Sequence, residues 1–288
     1  MRLTEADLVG LAAVAVDAAT EAGALIAGSR PTEVTRKASG ASLASQIVTE
    51  IDRQAEAAII ERLRPATRHF ALGLLTEERV DDGSRHHDDH FWCVDPLDGT
   101  LPFVEGRPGS AVSIALVRRD GHPLVGVVYD ISGARVVHAI DGVGAFIDGA
   151  PLIAPPDTTR LTVYGDRSLL RGRDADRRSA ALDELADRFG LEGVDVHLGA
   201  GGVMNALGAV LAPPGCYLRF PGPAGSHSWD LAATTCVAIA AGAIAADVTG
   251  APFELNRADS TDANHRGVLY ATDASLADAL TELVRRLC

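Results

Sequence analysis

The stretch from Phe91 to Phe103, FWCVDPLDGTLPF, sets two carboxylates three positions apart around a proline and directly before a Gly-Thr pair. Its apolar start, Phe91 to Val94, reads as a strand, and because proline cannot continue a central ladder Asp95 is expected at the strand's end. The turn that follows swings Asp98 back beside Asp95, and Gly99 lets the backbone approach a ligand closely. A helix or turn beginning at Thr100 would aim free amides at the same spot, which favours an anion. Two carboxylates with exposed amides form a place for cations that in turn hold a phosphate. A helix cap would need only one of the two acids.

Two further acidic candidates stand in similar places. Glu77 and Glu78 close the run LGLLTEE, and Asp230 opens a helix in SHSWDLAA, where it also reads as a cap. Hard oxygen ligands of this kind suit Mg2+, which keeps several waters and meets substrate phosphate directly. No His or Cys residues converge with them, so zinc fits poorly.

The whole chain fits a small anionic substrate held through metal better than a nucleic acid polymer. Of 288 residues, 39 are acidic and 26 are Lys or Arg, a formal net charge of -13 with no basic stripe to follow a phosphate backbone. An anionic substrate then needs a local reversal of the field, and bound divalent cations supply it. The four cysteines, Cys93, Cys216, Cys236 and Cys288, are scattered and form no C-x-x-C pair, which suits buried thiols in a reduced, cytoplasmic setting. Leu8 to Val16 is apolar but lies between acidic residues, unlike a signal peptide, and Leu231 to Ala246 is too short to span a bilayer. No membrane partner is expected.

Hydrophobic periodicity divides the chain near residue 152. Thr4 and Asp7 cap a first helix whose apolar face runs through Leu8, Leu11, Ala15, Ala19 and Ala22 to a stop at Gly28. A second helix carries Ile51, Ala55, Ile59 and Leu63 on one face, with Thr49 and Asp52 as a capping pair and Pro65 as its end. Between them PTEVTRKASGASLASQ, around Lys37, reads as a long exposed loop. Five short β-rich runs follow from Phe70, with Asp120-Gly121 and Asp141-Gly142 as hairpin turns. Residues 1–152 are thus expected to be two helices on a largely antiparallel sheet, an α+β domain. After a Pro-rich hinge, DGAPLIAPPD, residues 153–288 alternate strand and helix and are expected to be α/β. Strands are placed near 161–164, 194–198, 216–220 and 243–247, and helices near 174–189, 202–211, 229–241 and 275–287.

VTEID, LLTEE, WCVDPLDGT and SWDLAA occur in an order and spacing that resembles the inositol monophosphatase superfamily of Mg2+-dependent, lithium-sensitive phosphatases, over about residues 37–250. The resemblance implies a layered αβαβα sugar-phosphatase-like fold and commonly a homodimer. It makes Glu77, Asp95, Asp98, Asp230 and the carbonyl of Leu97 ligands of two or three Mg2+ ions. By the same resemblance Gly99 and Thr100 give amides to the phosphate, and the Thr100 hydroxyl with Glu77 orients the attacking water. Asp52 either meets that hydroxyl or a metal-bound water, or simply caps its helix with Thr49. GAGGVM, from Gly199, lacks the third glycine of a dinucleotide loop and reads as a tight strand-to-helix turn; in this family the turn borders the non-phosphate part of the substrate, which makes Gly201, Gly202 and Asn205 candidate contacts. RHHDDH, Arg85 to His90, has no ligand spacing and reads as a solvated loop.

The substrate class divides within the family. Inositol-preferring members carry an acid seven positions before the aspartate of their WD pair, where this chain has Pro223, whereas the glycine-rich turn is similar to the 3'(2'),5'-bisphosphate nucleotidase branch. Those enzymes often place lysine just before WD, where His227 and Ser228 stand here. The expected activity is hydrolysis of a small phosphorylated metabolite, 3'-phosphoadenosine 5'-phosphate first and inositol monophosphate second. A fold that binds such a ligand without cleaving it is the reading from a different class.

Overall fold

The computed structural model describes residues 2–29, 43–153, 156, 158–222 and 225–287, with the backbone alone for 43–49. The Lys37 loop and Pro223 lie outside these residues. Helix α1 (Glu5–Gly28) opens on the expected capping box, with Thr4 N donating to Asp7 Oδ2 at 2.8 Å and Asp7 N to Thr4 Oγ1 at 3.2 Å. It is long and apolar enough to cross a membrane, but Leu11, Ala15, Ala18, Ala22 and Ile26 are buried in the core. Small residues let it lie close to the sheet: a Cβ on Gly23 would stand 2.2 Å from the Tyr129 ring.

Helix α2 (Leu43–Phe70) departs from expectation at both ends. It begins six residues before Thr49, so Thr49 and Asp52 are interior and the capping reading of that pair lapses, as does the loop reading of residues 43–46. It also runs through Pro65 to Phe70. Proline removes one helical hydrogen bond, but tertiary contacts hold the last turn: Ala66 and Phe70 pack on the core, and Trp92 Nε1 donates to Thr67 Oγ1 at 3.1 Å.

A seven-stranded sheet follows, with strands β1 (Gly73–Thr76), β2 (His90–Asp98), β3 (Ala111–Arg118), β4 (Pro123–Asp130), β5 (Arg135–Ile140), β6 (Gly144–Ile147) and β7 (Ala150–Pro151) in sequential order. Only β1 and β2 pair in parallel. The two Asp-Gly pairs turn the β3–β4 and β5–β6 hairpins as expected. The start of the Pro-rich hinge is instead the β6–β7 hairpin, turned by Asp148 and Gly149 at φ 48° and 80°. Two short helices interrupt the strands, α3 (Ser84–His87) and α4 (Thr100–Val104). The RHHDDH segment is therefore not a solvated loop. Arg85 in α3 is 3% exposed, and its guanidinium donates to Asp81 Oδ2 at 2.7 Å, Asn256 Oδ1 at 2.6 Å and the Arg257 carbonyl at 2.9 Å.

The remaining elements are β8 (Leu161–Gly165), α5 (Ala175–Arg188), β9 (Val194–Leu198), α6 (Gly202–Leu211), β10 (Gly215–Arg219), α7 (Ser228–Ala240), β11 (Ile244–Ala246), β12 (Val268–Ala271) and α8 (Ala274–Leu287). The second sheet has the order β11-β12-β10-β8-β9. Strand β12 was not foreseen, although VLYA after Gly267 carries the apolar signal. Helices α1 and α2 cover one face of the first sheet, α6 and α7 fill the space between the sheets, and α5 and α8 cover the far face of the second. The result is the expected αβαβα sandwich. Its middle core draws Phe91, Cys93 and Val128 from the first sheet, Tyr217 and Tyr270 from the second, and Val203, Leu231 and Val237 from the helices between.

Candidate active site

Proline does not end β2. The strand continues to Asp98, and its register against β3 slips: Asp95 pairs with Ser113 and Asp98 with Ala111, so three steps on β2 face two on β3. That one extra residue is a β-bulge, and it decides the site. Residues three apart on a regular strand point to opposite faces, whereas an inserted residue resets the alternation and brings both carboxylates to one side. Immediately after, Gly99 adopts φ 78°, ψ 45° and starts α4. A Cβ there would stand 2.4 Å from the Gly109 carbonyl, so the turn needs glycine for space as well as for its backbone angle.

Asp230 arrives from the first turn of α7. Its Oδ2 accepts from the His227 amide at 2.8 Å, so the capping geometry is present. The residue also joins the cluster. Ligand atoms of Asp95, Asp98 and Asp230 all lie within 4.8 Å of one another. Cap and site contact therefore coexist in one residue.

Amides hold the carboxylates in place. Asp95 Oδ1 accepts from Leu97 N at 2.9 Å, and Asp98 accepts from Gly202 N at 3.1 Å and Val203 N at 2.9 Å, so the start of α6 is aimed at Asp98. Gly201 leaves room for that approach: a Cβ on it would fall 2.1 Å from Asp98 Oδ2. The Thr100 hydroxyl lies on the Leu97 carbonyl at 3.4 Å. No hydrogen bond joins it to Asp52 among the described residues; Asp52 is 8% exposed and its Oδ1 has no partner. Glu77, just beyond the end of β1, is exposed and is not one of the three acids whose ligand atoms converge, but it is near enough for its charge to raise Asp95. Asn205 is buried with Nδ2 on the Ala200 carbonyl at 3.1 Å. It lines the neighbouring cleft with Tyr164 and His197, while Gly201 and Gly202 line the one that holds Asp98 and Asp230.

The electrostatics call for a cation. Burial pushes Asp230 up to about 8, with Asp98 adding repulsion, and pushes Asp98 up to about 7 despite its amide bonds. Asp95 rises too, from burial first and then from Glu77, Asp98 and Asp230. Asp52 reaches about 7 through burial and the charges of Glu78 and Glu77. Among the described residues none of Asp52, Glu77, Asp95, Asp98 and Asp230 forms an ion pair with Lys, Arg or His. An all-oxygen donor set, converged and uncompensated, fits a hard divalent ion.

Four residues around the site escaped the sequence reading. Glu56 follows Asp52 by one helical turn, is 3% exposed and accepts from Arg79 Nε at 2.8 Å; the i, i+4 acidic pair was its available signal. Arg167, Arg219 and Ser226 line the cleft beside Asp98 and come from three separate segments, which no spacing rule connects.

Layers and site together define a phosphatase, a phosphoric monoester hydrolase built on a metal-dependent sandwich. The inositol monophosphatase family profile matches residues 7–287, and the chain belongs to that family. Human inositol monophosphatase 2 is 31% identical over 252 residues, covering 84% of this chain and 81% of its own. A 3'-phosphoadenosine 5'-phosphate phosphatase of Mycobacterium bovis is 32% identical over 213 residues, 72% of each. Among solved structures, inositol monophosphatase from Anabaena superposes with a TM-score of 0.70 at 23% identity, over 97% of this chain and 96% of that one.

Proposed function

We propose that the protein is a Mg2+-dependent phosphomonoesterase that removes the 3'-phosphate from 3'-phosphoadenosine 5'-phosphate, giving AMP and phosphate. The observation that carries the phosphatase reading is the convergence of Asp95, Asp98 and Asp230 within 4.8 Å without a cationic partner among the described residues. In this reading Asp95, Asp98, Asp230, Glu77 and the Leu97 carbonyl hold two or three Mg2+ ions. Bound there, the metal supplies a water of lowered pKa and charge neutralisation at the leaving oxygen. The chain's own residues do the positioning. Gly99 and Thr100 donate amides to the phosphate, Glu77 and the Thr100 hydroxyl orient the attacking water, and buried Asp52 accepts its proton. No covalent nucleophile is required, since phosphoryl transfer is mainly placement and charge.

Inositol monophosphate is the second reading, favoured by the 31% identity to inositol monophosphatase 2. Purified protein with Mg2+ and either substrate separates the two: turnover of inositol 1-phosphate without the nucleotide refutes the first, and release from neither ester supports a non-catalytic binding protein. Lithium should inhibit the active case. The free, buried thiols of Cys93, Cys216 and Cys236 fit a cytoplasmic protein, and a homodimer rests on the family resemblance. We place a domain boundary after residue 152, where the first sheet ends.

A further inference from the structure

Glu77 is held differently from the other acids read as metal ligands. Asp95 and Asp98 are fixed by the β2 bulge and by amides, and Asp230 by the first turn of α7, whereas Glu77 is exposed and stands where the chain has just left β1. Its amide still donates to the Val94 carbonyl at 3.2 Å, one bond past the paired residues of β1 and β2. Beyond that bond, residues 77–83 belong to no helix or strand until α3 begins at Ser84. A ligand on such a stretch is placed only as well as the stretch itself is tied down.

One tie crosses to α2. Arg79 Nε donates to Glu56 Oε2 at 2.8 Å, and the Glu56 side chain is 4% exposed against 52% for Arg79. The arginine thus reaches in from the surface to a buried carboxylate. The other oxygen of that carboxylate, Oε1, is buried without a partner. A buried charge is strongly unfavourable once its partner is removed, so Glu56 holds Arg79 firmly. Like charges crowd the same corner. Glu56 is near enough for its charge to act on both Glu77 and Glu78, and those two act in turn on Asp52, one helical turn before Glu56. Without the pair, repulsion between the acids of α2 and those after β1 would drive the two segments apart.

We infer that Glu56 and Arg79 are positioning residues: their ion pair straps the corner after β1 to α2 and so holds Glu77 where it can join Asp95, Asp98 and Asp230 around Mg2+. Both act through Glu77, not on metal or substrate, and the inference rests on the reading of Glu77 as a metal ligand.

Field and placement have opposite signs here. Mg2+ is titrated calorimetrically into the protein without substrate, and the Mg2+ dependence of phosphate release is measured beside it. If the two side chains acted only through their fields, R79Q would remove a repelling charge and tighten Mg2+ binding, while E56Q would remove an attracting one and weaken it. As a strap, both variants weaken it by about tenfold. E56Q/R79Q is then no weaker than either single variant, because one contact is lost in all three. R79K, which can make the same single N–H contact, recovers most of the affinity. At saturating Mg2+, kcat stays within about threefold of native. Tighter or unchanged Mg2+ binding in folded R79Q, or effects that multiply in the double variant, overturns the inference. So does a lower melting temperature with unmoved Mg2+ affinity, which marks a pair that supports the fold alone. Arg79 is half exposed, so R79Q decides the matter even where E56Q does not fold. A native chain that binds Mg2+ but cleaves no ester ends the phosphatase reading and leaves the calorimetric comparison in force; one that binds no Mg2+ overturns both.

Discussion

The two walls of the cleft treat charge in opposite ways. On one, Asp95, Asp98 and Asp230 are clustered and have no cationic partner among the described residues; on the other, Arg107 and Arg167 are about 40% open to solvent, Arg219 is 21% open, and each already touches a carboxylate. The first arrangement is destabilising in the free protein and awaits a cation. The second sets three guanidinium groups on two carboxylates and so keeps positive charge of its own. A pocket that needs external charge on one side and holds its own in reserve on the other is suited to a ligand that arrives with metal at one end only.

The largest effect should come from the acid wall. Asp95→Asn is expected to lower Mg2+-dependent phosphate release about a thousandfold or more. The same change removes a buried carboxylate crowded by Glu77, Asp98 and Asp230, so the melting temperature of the metal-free protein should stay level or rise. A fall of several degrees would mean that the acids stabilise the fold and that the contrast between the walls is false.

Next in size, Gly201→Ala places a methyl 2.1 Å from Asp98 Oδ2 and 2.7 Å from Gly99 N. Displacing Asp98 from its two amides should cost about a hundredfold in kcat/KM. Native-like activity with a native-like melting curve would show that α6 does not position that carboxylate.

The pH dependence is smaller and has a definite sign. Asp98 at about 7 and Asp230 at about 8 lie above the ordinary carboxylate value of 3.8. The folded metal-free protein therefore holds protons that the unfolded chain has lost, and this contribution is fully present below pH 4 and disappears as pH rises through 7 and 8. Stability should drop by roughly 4 kcal/mol between pH 6 and pH 8.5, and the rise in melting temperature on adding Mg2+ should be larger at the higher pH. Equal Mg2+ shifts at both pH values would remove the electrostatic account of the cluster. The smallest effect is expected on the arginine wall. Arg167→Gln breaks an exposed pair with Glu105 and should change folding stability by no more than about 0.5 kcal/mol in a denaturant titration.

Much of the fold was legible before the structure. The apolar faces of α1 and α2, the Asp-Gly hairpins and the bounds of α6, Gly202–Leu211, depend on local periodicity and turn chemistry, which a linear reading captures. Pro65 and Arg85 were misread for one reason. Both break a local rule, and both are held by distant partners: the last turn of α2 by Trp92, and Arg85 by Asn256 from 171 residues away. Asp52 was half legible. Its helix was expected, but its loss of a capping role depends on where α2 begins.

By itself the sequence determined the inventory of this protein: the acidic segments, the glycines that must follow them, the helix and strand periods, and the absence of a basic stripe. Those properties are local, and each can be read within a few residues. Only the tertiary structure decided that Asp95 and Asp98 share a face, because strand alternation alone would separate them and the bulge opposite Ser113 and Ala111 appears only when β3 is paired. It also decided that Arg167, Arg219 and Ser226 meet beside them, since three segments reach one cleft only after two sheets have packed across a common core.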